Sequence, residues 1–274
     1  MTREWTERDV AGVVRLPTHS DDKYSRGVLG VRTGSRVYPG AAVLGVEAAW
    51  RTGLGMVRYL GAAADPVLAR RPETVTAPGR VQAWLIGSGT DSATRDADET
   101  AAIRGILAQN EPVVLDAGAL DLAPGASAPL IVTPHAREHA VLRAALGLGD
   151  GTGDRRTDVA ETARKLGGVV LLKGAMTLIA DGSEVIDVDV DVPWLATAGT
   201  GDVLGGVLGA LVAAAHAVPD AAPPLPHLAA SAAWLHARAA RVAASALGPR
   251  GGPLTALDVA EALPRAIGGV LAHS

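Results

Sequence analysis

Cysteine is absent from this chain of 274 residues. Disulfides, thiolate catalysis and cysteine-ligated zinc are therefore excluded. Phenylalanine is absent too, and the remaining aromatics are five Trp and three Tyr. With 48% hydrophobic residues the chain can still bury a sizeable core, but that core must be aliphatic. Basic excess is lacking as well: 25 Lys and Arg face 29 Asp and Glu, for a net charge of −4 and a pI near 6.0. No basic run is interleaved with aromatics, which argues against a general nucleic-acid binder. No stretch approaches the ~20 uninterrupted apolar residues of a membrane span. The opening MTREWTERDVAG is charged and has no apolar signal core. The expectation is a soluble cytoplasmic protein with no nucleic-acid or membrane partner.

Gly and Ala dominate what is present, and short apolar runs alternate with longer Ala-rich amphipathic stretches. Strands are expected at 28–33, 56–60, 83–86, 112–117, 130–133 and 169–174. A hairpin is expected from 177–181 and 183–190 around Asp181-Gly182. Helices are expected at 39–53, 94–109, 137–146, 156–166, 202–216, 227–246 and 255–267. Strand–helix alternation with near-continuous apolar strands predicts an α/β fold, a mostly parallel sheet with helices on both faces. Neither GLGDGTGD (147–154) nor AAPPLP (221–226) separates two convincing domains, so residues 1–274 read as one domain. Its first 12–20 residues are expected to be a peripheral, untidy appendage. In such sheets ligands bind beyond the carboxyl ends of the strands.

The most informative run is Ala198-Gly199-Thr200-Gly201-Asp202, followed at once by the apolar VLGGVLGALVAAA. Glycines can turn backbone N–H groups toward one point, and a helix adds its positive end, so Gly199, Thr200 and Gly201 suit anionic oxygens. Asp202 then stands where bound phosphate would disfavour it, which points to proton removal or metal contact. The plain alternative, at even odds on these residues alone, is a glycine turn with a first-turn carboxylate. Lys173-Gly174-Ala175-Met176-Thr177 ends a buried strand, where a Lys reaches phosphate or simply faces solvent. Tyr38-Pro39-Gly40-Ala41 opens a helix, and Gly87-Ser88-Gly89 is a short loop falling short of a dinucleotide fingerprint. Thr133-Pro134-His135, with Glu138, either meets a ligand or caps a helix through Thr133. His135 and His139 are spaced as a metal pair but no third ligand is evident, and zinc is disfavoured. Asp116 either leans toward Mg²⁺ through water or caps the next turn. Neither a G-x-x-x-x-G-K-[ST] loop nor a G-x-S-x-G elbow is present.

YPGAA (38–42), IGSG (86–89), VVLDAGAL (113–120), TPHAREHAVL (133–142), LLKGAMT (171–177) and AGTGDVLGG (198–206), in that order, resemble the ribokinase-like superfamily. More closely, the chain resembles the ADP-dependent NAD(P)HX dehydratases. The resemblance implies a three-layer α/β/α fold and repair of hydrated NADH or NADPH. The hydroxyl on C6 of the ring would be phosphorylated from ADP, and phosphate would leave with AMP as the other product. It further implies that Lys173, Gly174, Ala175, Met176, Thr177 and Gly201 contact ADP, while Gly40, Ala41, Gly89, His135 and Asp202 contact the hydrated coenzyme. Asp202 matches the base, and the amides of Gly199, Thr200 and Gly201 would stabilise developing charge. Mg²⁺ would accompany the nucleotide, the epimerase of the same pathway would be a separate protein, and the enzyme would be a homotetramer.

The chain departs from the family pattern at four places. Asp22-Lys23-Tyr24 stands where the family has His-Lys-Gly, and Arg32-Thr33-Gly34-Ser35 replaces a Gly-Gly-Ser loop. Gly118 replaces the second Asp of an Asp-Ala-Asp segment, and Ala198 the first Gly of Gly-Gly-Thr-Gly-Asp. The rival readings are a small-molecule kinase resembling hydroxyethylthiazole kinase and a non-catalytic nucleotide-binding protein on the same scaffold.

Overall fold

Alternation along each apolar run decides which layer a side chain joins. Leu29 and Val31, Leu85, Val114 and Ile131 enter one core cluster, whereas Val28, Trp84, Ile86, Val113, Leu115, Leu130 and Val132 enter the other. The strands are therefore apolar on both faces, as a sheet covered by helices on each side requires. In the computed structural model, which describes residues 2–272, this gives a three-layer α/β/α architecture.

In chain order the described elements are β1 (Thr2–Glu4), α1 (Glu7–Ala11), β2 (Val28–Arg32), α2 (Pro39–Thr52), β3 (Met56–Tyr59) and α3 (Ala64–Arg70). β4 (Ala83–Ile86), α4 (Ala97–Leu107), β5 (Val113–Leu115), β6 (Leu130–Val132), α5 (Ala136–Ala145) and α6 (Arg155–Leu166) follow. β7 (Val169–Leu172), β8 (Met176–Ala180), β9 (Val185–Asp189), α7 (Thr200–His216), α8 (Leu225–Ser245) and α9 (Ala256–Leu271) complete the chain. Short 3₁₀ turns cover Ala117–Leu122, Pro193–Leu195 and Pro219–Ala221. Sheet order is β1-β9-β8-β7-β6-β5-β4-β2-β3, parallel throughout except where β8 meets β7 and β9. α2, α7, α8 and α9 cover one face. α4, α5 and α6 cover the other.

The N-terminal segment, expected to be a loose appendage, instead edges the sheet: β1 pairs in parallel with β9. Trp5 explains why. Its ring is 3% exposed, and its indole N–H donates to Ser231 Oγ on α8 at 3.0 Å. The helix expected from Thr94 begins at Ala97 because the Asp96 carboxylate accepts from the Glu99 amide at 2.7 Å and caps it. α3 was not expected; seven residues with Pro66 in the first turn carry too little periodicity. The hairpin lies where Asp181-Gly182 predicts it, with Asp181 Oδ1 accepting the Ser183 amide at 2.8 Å. Among the described residues no helix is long and apolar enough to cross a membrane.

Candidate active site

β4, β5, β6 and β7 lie side by side and all point the same way, so the residues that follow them form one row. That row is Gly87-Ser88-Gly89, Asp116, Thr133-Pro134-His135 and Lys173. Adjacent strands lie about 4.8 Å apart, which brings side chains from successive strand ends within hydrogen-bonding reach. Asp116, 3% exposed, collects three donors this way. Ser88 Oγ donates to its Oδ2 at 2.9 Å, and Thr133 Oγ1 to its Oδ1 at 2.8 Å. Lys173 Nζ donates to the same Oδ1 at 2.9 Å and lies 3.9 Å from Glu138. Thr133 thus serves Asp116 and does not cap a helix.

The N-terminus of α7 approaches this row from the layer of α2. Gly199 is its N-cap at φ +88°, a left-handed conformation that a Cβ would strain. A Cβ there would also come 2.5 Å from Leu44 Cδ1. The Thr200 amide donates to the Thr197 carbonyl at 3.4 Å, whereas the Gly201 and Asp202 amides of the first turn take no carbonyl four residues back. Thr200 Oγ1 locks the turn by donating to the carbonyls of Leu195 and Thr197, each at 3.0 Å. A Cβ on Gly201 would sit 3.7 Å from Lys173 Nζ, so the ammonium lies against the nest. Asp202 is half-buried, and its carboxyl is pushed up to about 6. Burial is the main cause and the Asp116 charge adds to it, while Lys173 opposes both. A carboxylate poised near neutrality beside an anion-binding turn is suited to accept a proton from a hydroxyl.

A cavity of about 320 Å³ opens beside the nest. Lys173, Gly174, Ala175, Thr177, Thr200 and Gly201 line its polar end, and Val190, Val192, Leu195 and Leu204 are among its apolar walls. The size and lining suit a nucleoside with its phosphates at the nest. Met176 is not part of this lining: it is 39% exposed, and its carbonyl accepts from Arg155 at 3.1 Å. His236 of α8 also lines the cavity, with its Nε2 buried and unpartnered. Burial holds its imidazole down to about 4, so the ring is neutral. Sequence reasoning missed His236, because nothing local distinguishes a buried histidine on an Ala-rich helix.

On the other side of Asp202, Ala41 is buried and Gly89 packs on it so closely that a Cβ would lie 2.4 Å from the Ala41 methyl. Gly40 has open space around it. His135 is the N-cap of α5, its Nδ1 accepting from the Arg137 and Glu138 amides at 3.1 and 3.2 Å. It stays exposed enough to meet a ligand, whereas His139 turns inward to Thr162 Oγ1 at 2.9 Å. The i, i+4 histidines therefore do not converge. Gly118 has a steric reason: a Cβ there would meet the Thr90 carbonyl at 2.1 Å. Arg95 fixes that contact by donating to the Gly118 carbonyl at 2.6 Å while pairing with Asp121.

Among the described residues no three metal-binding side chains converge. Asp202 stands in the first turn of α7 and Asp191 lines the cavity, while Asp116 already accepts from Ser88, Thr133 and Lys173. That donor set fits a hydrated Mg²⁺ carried in on nucleotide phosphates, since such an ion keeps most of its waters and needs one or two carboxylates.

Comparison with known proteins decides the family. A family described as NAD(P)H-hydrate dehydratase matches residues 29–265. The chain belongs to the NAD(P)H-hydrate dehydratase family. An ADP-dependent (S)-NAD(P)H-hydrate dehydratase of Neisseria meningitidis is 35% identical over 270 residues, 88% of this chain and 86% of that protein. A bifunctional NAD(P)H-hydrate repair enzyme of Mycobacterium leprae is 42% identical over 262 residues, 90% of this chain and 52% of that protein. The chain thus spans about half the length of the bifunctional relative. The ADP/ATP-dependent NAD(P)H-hydrate dehydratase of Bacillus subtilis, co-crystallised with ATP and Mg²⁺, superposes with a TM-score of 0.83 at 25% identity over 98% of each chain. The dehydratase resemblance of the six ordered motifs and the ribokinase-like fold are borne out.

Proposed function

We propose that this dehydratase-family chain restores hydrated NADH and NADPH to the reduced coenzymes, using ADP and releasing AMP and phosphate. Asp202 removes the proton from the C6 hydroxyl as its oxygen attacks the β-phosphorus of ADP, and AMP departs. The amides at Gly199 and Gly201 hold the transferring phosphoryl oxygens, Thr200 fixes the turn that presents them, and Lys173 neutralises charge beside them. The C6–O bond then breaks, phosphate leaves, and loss of a proton from C5 restores the ring double bond. Phosphate is a far better leaving group than hydroxide, which is the chemical reason to spend a nucleotide.

The observation that carries this reading is the placement of the half-buried Asp202 carboxylate in the first turn of α7, directly after the Gly199–Gly201 turn against which Lys173 lies. In this reading Lys173, Gly174, Ala175, Thr177 and Gly201 hold ADP, and Met176 stands outside the nucleotide cavity. Gly40, Ala41, Gly89 and His135 face the hydrated ring. Mg²⁺ entering with the nucleotide would offset the charge of its phosphates, with Asp202 the carboxylate in the first turn of α7 beside them. A cytoplasmic homotetramer completes the proposal.

The test is incubation of the protein with ADP and hydrated NADH, following the near-ultraviolet absorbance of the dihydronicotinamide. Recovery that requires ADP supports the reading. No recovery with ADP or ATP, together with phosphorylation of a thiazole alcohol, contradicts it.

A further inference from the structure

A groove of about 300 Å³ lies between α5 and the turn at Ala117–Leu122, on the side of the row away from the nucleotide cavity. Its walls are apolar. Leu120 and Leu142 are 6% and 2% exposed, while Val141 stands 70% exposed beside them. Two of its lining residues, His135 and Glu138, belong to the candidate site, and Glu138 is the residue 3.9 Å from Lys173. The groove is therefore continuous with the place where the hydrated ring is proposed to sit.

The carboxylates that line the groove already have cations beside them: Asp121 pairs with Arg95, and Glu138 lies 3.9 Å from Lys173. Arg137 lines the groove, and among the described residues its guanidinium has no ion-pair partner. A guanidinium left unpaired beside an apolar slot suits a ligand that joins a flat ring to a phosphate. The neighbouring cleft around Arg32 differs: at about 170 Å³ it is smaller, and the carboxylates of Asp91, Asp96 and Glu99 line it beside Arg32, Arg36 and Arg95.

We propose that this groove binds the second nucleoside of the dinucleotide substrate, with its base between Leu120 and Val141 and its pyrophosphate at Arg137. The inference rests on the dehydratase reading and names how that substrate is held. The reacting ring occupies Asp202, ADP fills the cavity beyond the nest, and a dinucleotide must lead its other half away past His135. The groove gives that half an apolar slot and a cation. The enzyme would therefore distinguish a dinucleotide from the corresponding mononucleotide at a distance from the chemistry.

The experiment compares hydrated NADH with hydrated reduced nicotinamide mononucleotide as substrates for wild type, Val141→Asp and Arg137→Ala. Val141 is a surface position, so folding is preserved. The expected result is a rise of about tenfold in KM for hydrated NADH in Val141→Asp, and a smaller rise in Arg137→Ala, with KM for the mononucleotide and for ADP unchanged. Equal effects on both substrates, or none, overturn the proposal. So does a change in subunit association with unchanged KM, which would make the groove an interface between copies. Should wild type turn over neither substrate, the dehydratase reading fails. The groove is then judged by calorimetry with ADP-ribose in saturating AMP. Binding lost in Val141→Asp supports it, and binding absent from wild type or kept in the variant overturns it.

Discussion

Lys173 Nζ bonds Asp116 Oδ1 at 2.9 Å across two strand boundaries, and the same ammonium lies against the Gly201 backbone at the nest. The ion pair joins the end of β7 to the end of β5. It places one positive charge between a buried carboxylate, a first-turn carboxylate and the site proposed for phosphate. Lys173→Met leaves Asp116 with two hydroxyl donors and no cation. Stability should fall by about 1–3 kcal/mol, because a buried carboxylate loses its charge partner. ADP affinity in calorimetry should fall at least about tenfold. Unchanged nucleotide affinity would remove Lys173 from the site.

Asp202 governs two pH dependences of opposite sense. Folding raises its carboxyl from 3.8 to about 6, so the folded protein binds this proton more tightly than the unfolded chain. The stability contributed is complete below pH 3.8 and is lost as pH rises through about 6. Asp202→Asn should therefore be more stable than wild type at pH 8, by about 1–2 kcal/mol in denaturant unfolding. Activity runs the other way: the base must be ionised, so kcat/KM should fall about tenfold per pH unit below a midpoint near 6. The Asn variant should lose about 10²–10⁴-fold in turnover while keeping its nucleotide affinity, since the nest is backbone.

Gly199→Ala tests the turn itself. The left-handed φ and the 2.5 Å approach to Leu44 should together cost about 1–3 kcal/mol in denaturant unfolding. Nucleotide affinity should weaken with it, because the first-turn amides are re-aimed. An Ala variant of full stability and full affinity would show that the turn does not need glycine.

Glu47 anchors α2 away from the chemistry. Its carboxylate is fully buried, and burial works to raise its pKa, yet Arg71, Arg51 and Arg70 hold it down to about 2. Its contribution is present above pH 4.5 and is lost as pH falls toward 2. Glu47→Gln should cost about 2–4 kcal/mol at pH 7, allowing for the partial exposure of the arginines. Urea unfolding at pH 7 measures the loss, with kcat at low temperature little changed.

Much of this was legible along the chain, because parallel strands buried on both faces read as continuous apolar runs and glycines mark the ends of elements. The nest at Gly199–Asp202 and the lysine at 173 stand out for the same reason: each chemistry-bearing residue directly follows or opens an element. Asp116 was harder to read. Its donors Ser88, Thr133 and Lys173 lie 28, 17 and 57 residues away, and only strand order brings them together. Trp5 shows the same limit, since a strand of three residues has no period to detect and is held by a helix more than 200 residues on. His236 and the groove beside Val141 arise from packing between distant elements and leave no local mark.

The most direct test is product stoichiometry in one reaction: AMP, phosphate and NADH measured together from ADP and hydrated NADH, for wild type and Asp202→Asn. Equimolar appearance of all three in wild type, and of none in the variant, is the predicted result. NADH formed without AMP, or formed equally by Asp202→Asn, would contradict phosphoryl transfer at this site.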